Sequence, residues 1–239
     1  MRNIIIIFIF TVIAGAQLNG QWDRYRFGFQ ASPTLSWMST NDKLINSSGT
    51  NLGLRLGTVA EYYINENYII KSGFHLHFNQ GGQLLHDQGG DLWSEADLSN
   101  PVYETLPDGV KLRYHLHYLE FPFSFRMRTK EMGFWRFYVE APVLQLGIRM
   151  RARGDIEGPG IPSSLGEEIS EQARLLAISY GFGAGGEYSI SEELSLVTGL
   201  YYYRVITDLT NDNGRKLDGS AEDSKGTAGS IVIHLAVMF

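Results

Sequence analysis

The sequence predicts an all-β fold, an eight-stranded antiparallel up-and-down transmembrane β-barrel. Three observations predict it. Eight long segments alternate apolar and polar residues with a period of two, short and long connections alternate between them, and the last segment ends on an aromatic residue. Composition agrees, with 27 glycines, 13 tyrosines and 13 phenylalanines and no long charged block, which suits many strands joined by polar turns.

The chain opens on Arg2, an apolar run over 4–14 and the small residues Ala14-Gly15-Ala16, the arrangement of an export signal cleaved before Gln17. Residues 1–16 are read as this signal peptide and 17–239 as one outer-membrane barrel domain. The apolar run is too short to cross a hydrocarbon core of about 30 Å as a helix. The sequence holds no cysteine, so neither a lipid-modified cysteine nor a disulfide is expected. A net charge of −6 argues against a nucleic-acid partner, which normally meets a basic face.

Strands are expected near 24–38, 51–64, 68–80, 111–128, 134–151, 174–190, 194–207 and 227–239. Tight turns at 65–67, 129–133 and 191–193 alternate with long polar loops at 39–50, 81–110, 152–173 and 208–226. Short periplasmic turns and long extracellular loops are the pattern of outer-membrane barrels.

Tight turns fix antiparallel register, so neighbouring strands test one another's faces. In the first strand Tyr25, Phe27, Phe29, Leu35 and Trp37 share the apolar face, opposite Arg24, Arg26, Gln30, Ser32 and Thr34. The second places Leu52, Leu54, Leu56 and Tyr62 outward against Arg55 and Glu61. Folding about Glu66 sets Glu61 opposite Lys71 and Arg55 opposite His77, with Tyr68, Ile70, Phe74, Leu76 and Phe78 again apolar. The fourth strand offers Leu119, Phe121, Phe123, Phe125 and Met127 against Glu120, Ser124 and Arg126. The fifth offers Trp135, Phe137, Val139 and Val143 against Arg136 and Glu140. On the sixth, Gly181, Gly183 and Gly185 share the inner face, with Gly183 opposite Tyr201 and Gly181 opposite Tyr203 on the seventh. Bulky rings over bare backbone would close that wall. The last strand presents Ile231, Ile233, Leu235 and Val237 outward and ends on Phe239, read as the assembly signal for the barrel-assembly machinery.

The inward set is therefore Arg26, Arg55, Lys71, Arg126 and Arg136 against Glu61, Glu120, Glu140 and Glu187. Side chains fill the interior of an eight-stranded barrel, so these charges should pair as a lumenal polar network, Glu61 with Lys71 among them.

Four stretches carry a resemblance: Ala60-Glu61-Tyr62-Tyr63 through Gly73, Tyr118-Leu119-Glu120-Phe121-Pro122-Phe123, Tyr180-Gly181-Phe182-Gly183-Ala184-Gly185-Gly186 and Thr198-Gly199-Leu200-Tyr201-Tyr202. In these the chain resembles the PorT-like outer-membrane β-barrel family of Bacteroidota. It implies the barrel fold and a membrane, with a founding member tied to type IX secretion, and it transfers no catalytic residue.

Two further constellations could carry chemistry. His75 with His77, and His115 with His117, each place two imidazoles on one side of a strand about 6 to 7 Å apart, half of a metal site. The first pair points inward and the second outward, so the two would converge only through a bulge, and neither a metal nor a cofactor is expected. His86 and Asp87 in one loop and Ser163-Ser164 in another are the residue types of a rim hydrolase, but no nucleophile motif surrounds either serine.

The expected function is non-enzymatic: a structural or surface-binding role carried by loops 81–110 and 152–173 in the outer membrane. Expected partners are outer-membrane lipid and lipopolysaccharide, the barrel-assembly machinery during biogenesis and, on the alternative reading, secretion-system proteins. A small channel and a rim enzyme are the remaining alternatives. N-terminal sequencing of the protein from outer membranes should read from Gln17, and an intact Met1 on the membrane-embedded chain would remove the export reading.

Overall fold

The computed structural model describes residues 24–211 and 213–239, so the export signal and its cleavage site lie outside the described residues. Eight strands form the barrel: β1 (Tyr25–Ser39), β2 (Ile45–Tyr63), β3 (Tyr68–His86), β4 (Val110–Arg128), β5 (Trp135–Glu157), β6 (Leu176–Ser189), β7 (Ser195–Val205) and β8 (Thr227–Met238). Every neighbouring pair is antiparallel, β8 pairs back onto β1, and β4 pairs with β5, so the sheet closes on itself. Closure leaves no unpaired edge in the wall.

The tight turns are built by their own side chains. Asn65 accepts hydrogen bonds from the N–H groups of Asn67 and Tyr68 at 2.9 and 3.0 Å, folding the chain from β2 into β3. Ser191 does the same for the Leu194 N–H at 3.1 Å between β6 and β7. Gly133 supplies the positive φ of +69° that the turn between β4 and β5 needs.

The register follows the sequence expectation on most strands. Glu61 lies opposite Lys71 and Arg55 opposite His77, and Gly183 and Gly181 lie opposite Tyr201 and Tyr203. One face assignment is corrected. Val143 was expected to face outward, yet it is 1% exposed and points into the lumen. Between Glu140 and Val143, β5 carries one residue more than either neighbouring strand. Ala141 and Pro142 both face outward there, and this bulge switches the parity so that Leu144 and Leu146 become the outward residues.

A second difference concerns length. β2, β3 and β5 continue past the expected strand ends, and the long connections have structure of their own. Gly90–Asp91, Gly214–Lys216 and Ala221–Glu222 form a small three-stranded sheet over the loop end, and Ser164–Glu168 pairs onto β5. A 3₁₀ turn at Pro101–Tyr103 is capped by the Asn100 side chain, which accepts from the Val102 N–H.

The inner wall at β6 is shaped by rings on glycine. A Cβ at Gly183 would stand 2.3 Å from Cδ1 of Tyr201, and one at Gly181 would stand 2.7 Å from Cδ1 of Tyr203. Replacement Gly183→Val should therefore displace Tyr201 and lower unfolding stability by about 1 to 3 kcal/mol, the usual cost of overpacking. Urea unfolding of the purified barrel measures this, and an unchanged midpoint would mean that the ring does not rest on that backbone.

Candidate functional site

Among the described residues, most of the buried charged side chains gather in the lumen, which is organised in tiers from the turn end upward. At the turn end Arg26 pairs with Glu187 and donates to Ser195, while Arg128 reaches Glu187 at 3.2 Å. The guanidinium of Arg128 also lies 4.7 Å from the ring centre of Tyr63.

The middle tier is held by Glu140, which has no exposed surface. It faces Lys71 Nζ at 2.9 Å and Arg126 Nε at 2.9 Å, and it accepts from the hydroxyls of Ser124 at 2.6 Å and Tyr201 at 2.7 Å. Arg126 bridges onward to Glu61 and lies 4.1 Å from the centre of the Tyr138 ring. The upper tier joins Arg55 to Glu120 at 3.0 Å and His77 Nδ1 to the same carboxylate at 2.9 Å, with Arg55 stacked 4.4 Å from the Tyr203 ring centre.

These contacts revise the expected pairing of Glu61 with Lys71. The two are register neighbours, but Lys71 reaches across the lumen to Glu140, and Glu61 is taken by Arg126. Antiparallel register fixes which residues are adjacent along the wall. In a barrel with a filled interior, long side chains instead meet across the axis. Arg136 stands at the turn-end mouth, paired with Glu131 and bonded to Ser189 at 3.2 Å, outside the tiers. Tyr201 and Tyr203 stand inside as expected from their glycine partners, whereas Arg128, Tyr138 and His234 also belong to the interior and were not singled out from sequence. Their inward parity was the available signal.

Above the third tier the lumen turns apolar. Leu112, Tyr114, Leu116 and Tyr118 of β4 point inward, and onto them pack Leu92, Trp93, Tyr103 and Leu106 of the connection between β3 and β4. Trp93 donates from Nε1 to the Tyr114 hydroxyl at 2.9 Å, and its ring covers Gly154, where a Cβ would come within 2.2 Å of Cη2. The expected lumenal polar core therefore gives way to an apolar one above the third tier, and the loop 81–110, expected to carry surface binding, sends its inner part down as a plug.

The cap is tied together by side chains from several connections. Ser99 donates from its backbone N–H to Glu167 at 2.8 Å and from its hydroxyl at 2.5 Å. Gln172 accepts from the Glu95 N–H at 3.1 Å, and Asn211 donates to Glu95 at 2.7 Å. Lys216 lies 2.8 Å from Asp42, and that ammonium, helped by the Leu44 N–H, holds the Asp42 carboxyl below its ordinary range. Beneath the cap lies a water-sized void of about 10 Å³, whereas the turn end opens into a vestibule of about 860 Å³ lined by Arg24, Arg26, Arg128 and Arg136 with Glu66, Glu192 and Glu193.

The remaining candidates stay apart. His75 and His77 point into the lumen, and His77 is engaged by Glu120 and by Thr34 at 3.3 Å. His115 and His117 lie on the outer face; His115 is bonded to Asp155 at 2.8 Å and Asn79 at 2.6 Å. Among the described residues no group of three or more His, Asp or Glu is placed to hold a metal. His86 is buried under the cap, Ser164 is bonded to Glu167, and among the described residues no hydrogen bond joins His86 or Asp87 to Ser163 or Ser164.

No protein-family model and no curated protein matches the chain. Among solved structures it is similar to Neisserial surface protein A, with 13% identity over 89% of this chain and 95% of that one and a TM-score of 0.42. It is similar also to Ail, the attachment invasion locus protein of Yersinia pestis, with 12% identity over 90% and 99% and a TM-score of 0.39. The outer membrane protease OmpT of Escherichia coli shares 6% identity over 93% and 98%, with a TM-score of 0.39. These values fix no family and no function.

Pairing across the lumen predicts a specific pattern of coupling. In double-mutant cycles measured by urea unfolding, Lys71→Met with Glu140→Gln should show a coupling of about 1 to 3 kcal/mol, and Lys71→Met with Glu61→Gln less than about 0.5 kcal/mol. Equal coupling in the two cycles would overturn the cross-lumen assignment.

Proposed function

We propose that the chain is an integral protein of the outer membrane of a Gram-negative envelope and serves it as a sealed, non-enzymatic barrel with a structural or surface-binding role. The observation that carries this reading is the reversed distribution of polarity. The outward rows present Phe29, Leu52, Phe123, Phe182 and Leu200 at 56 to 74% exposure, while Glu61, Glu140 and Arg126 are no more than 1% exposed inside. Water would penalise that exterior, and hydrocarbon would not.

The turn end is read as periplasmic and the capped end as extracellular. A surface-binding role would then fall to the exposed shell of the cap, including Leu165, Val102 and Leu217, because the inner part of both long loops is spent on the plug. Phe239 pairs its backbone with Phe27 at 2.8 and 3.2 Å and places its ring 5.8 Å from Phe29. In that position it suits the proposed assembly signal, as the aromatic end of the strand that closes the wall. The vestibule at the turn end favours a second reading, a component of a secretion or assembly machine docked from the periplasm. Co-purification of a stoichiometric partner from mild detergent would favour that reading over the first.

Reconstituted in planar bilayers, the protein should insert and show no long-lived openings, because the charge tiers and the Trp93 plug both block the axis. Steady porin-sized conductance would overturn the sealed-barrel reading, and failure to insert would overturn the membrane reading itself.

A further inference from the structure

The outward column shared by β4 and β5 changes character within one register step. From the turn end upward, the cross-strand neighbours Phe123 and Leu144, Phe121 and Leu146, and Leu119 and Ile148 are apolar. The next are His117 with Arg151 and His115 with Arg153. An extra residue in β5, Met150, sits at this boundary, where the register shifts between the Tyr118–Arg149 and His117–Arg151 pairs.

Arg151 and Arg153 lie on one face of one strand, so their Cα atoms stand about 6 to 7 Å apart. Each has a histidine beside it at about 5 Å. The carboxylates nearby are largely engaged. Asp155 is held by His115 at 2.8 Å and by the Gly166 N–H at 2.9 Å. Glu168 accepts from Ser170 and stands 3.7 Å from Arg151, with both side chains about half exposed. Arg153 lies opposite Glu168 in register and, among the described residues, makes no ion pair within 4 Å, and His117 is set edge-on to Phe78 with ring centres 5.8 Å apart.

The rest of the rim is different. Where β1 and β2 leave the apolar belt the outward residues include Trp37, Ser39 and Thr50, and on β6 they are Leu176 and Ile178. Arg204 on β7 is engaged by the hydroxyls of Ser39 and Thr227 at 2.9 and 3.1 Å. Arg174, just before β6, stands 3.8 Å from Asp208 and donates to the Thr210 carbonyl at 3.0 Å. Among the described residues, Arg151 and Arg153 share one outward face of the wall at the height where the apolar belt ends. Phosphate groups of lipid headgroups lie at that boundary, and paired guanidinium groups are suited to bind them.

We propose that Arg151 and Arg153, flanked by His115 and His117, form a binding site for the phosphate groups of a phosphorylated glycolipid of the outer leaflet. The site rests on the membrane reading above and gives it a specific ligand class on one sector of the wall.

The test uses the full mature chain folded in phosphatidylcholine nanodiscs containing either bisphosphorylated lipid A or the same lipid with its phosphates removed. Lipid retained after transfer to mild detergent is counted by native mass spectrometry. Wild type should retain the bisphosphorylated form about tenfold more than the dephosphorylated one, a difference of about 1.4 kcal/mol. Arg151→Gln with Arg153→Gln should remove the preference, and Arg204→Gln should keep it. The single change Arg153→Gln, which touches no ion pair, serves as the reading if the double variant loses its heat-modifiable folded band. Equal retention of the two lipids by wild type, or an unchanged preference in the folded Arg variants, would overturn the site. Displacement of the lipid by millimolar inorganic phosphate would overturn it as a lipid site and leave a small-anion site. A chain that never enters the nanodisc would instead defeat the membrane reading.

Discussion

Inside a closed wall, the carboxylate of Glu140 is surrounded by Lys71, Arg126, Ser124 and Tyr201. A lone carboxylate there would carry a desolvation cost of several kcal/mol, and the full set of partners offsets it. Much of the interior is arranged around meeting that demand. Tyr201 reaches Glu140 because its ring lies on Gly183, directly across from it in register. Arg126 is steadied against Tyr138 and shared with Glu61. The bulge at Ala141 and Pro142 lies immediately beyond, so the strand that supplies Glu140 changes parity just after supplying it.

The upper half of the lumen solves the same problem by other means. Burying apolar groups against one another requires no partner chemistry, only volume and shape. Leu92, Trp93, Tyr103 and Leu106 supply both from the long connection between β3 and β4. The barrel therefore holds two cores with opposite rules, an ionic one bounded by the turn-end vestibule and a hydrophobic one bounded by the cap. A single charge change in the lower tiers breaks several contacts at once, whereas the upper core tolerates changes that conserve volume.

How much of this was legible in the sequence follows from the range of each interaction. Strand number, register and the glycine–tyrosine contacts depend on a period of two and on tight turns, and both are written locally. The pairing of Lys71 with Glu140 is not local. It depends on the diameter of the closed barrel and on which side chains meet across it. The reversal at Val143 was hidden for a different reason: a one-residue bulge leaves no trace in a pattern where Ala141, Pro142 and Val143 are all apolar. The cap was missed because turn-rich stretches were read as solvent-facing, although Leu92, Trp93, Leu98, Tyr103 and Leu106 are too apolar a set for a loop that stays in water. The rim hydrolase residues were legible as types and uninformative as a group, and among the described residues Ser164 bonds Glu167 and no hydrogen bond links the serines to His86 or Asp87.

Trp93 seated on Gly154 has a consequence for how such a protein changes over generations. Surface loops of envelope proteins usually drift freely, because little inside the molecule depends on them. Here the loop and the wall constrain each other: a larger residue at 154 has no room beneath the indole, and a smaller residue at 93 leaves a hole above the backbone. Sequence turnover is thereby split within a single connection. Exposed neighbours such as Val102 and Thr105 have room to vary, while Leu92, Trp93 and Leu106 are held to the pace of the barrel wall.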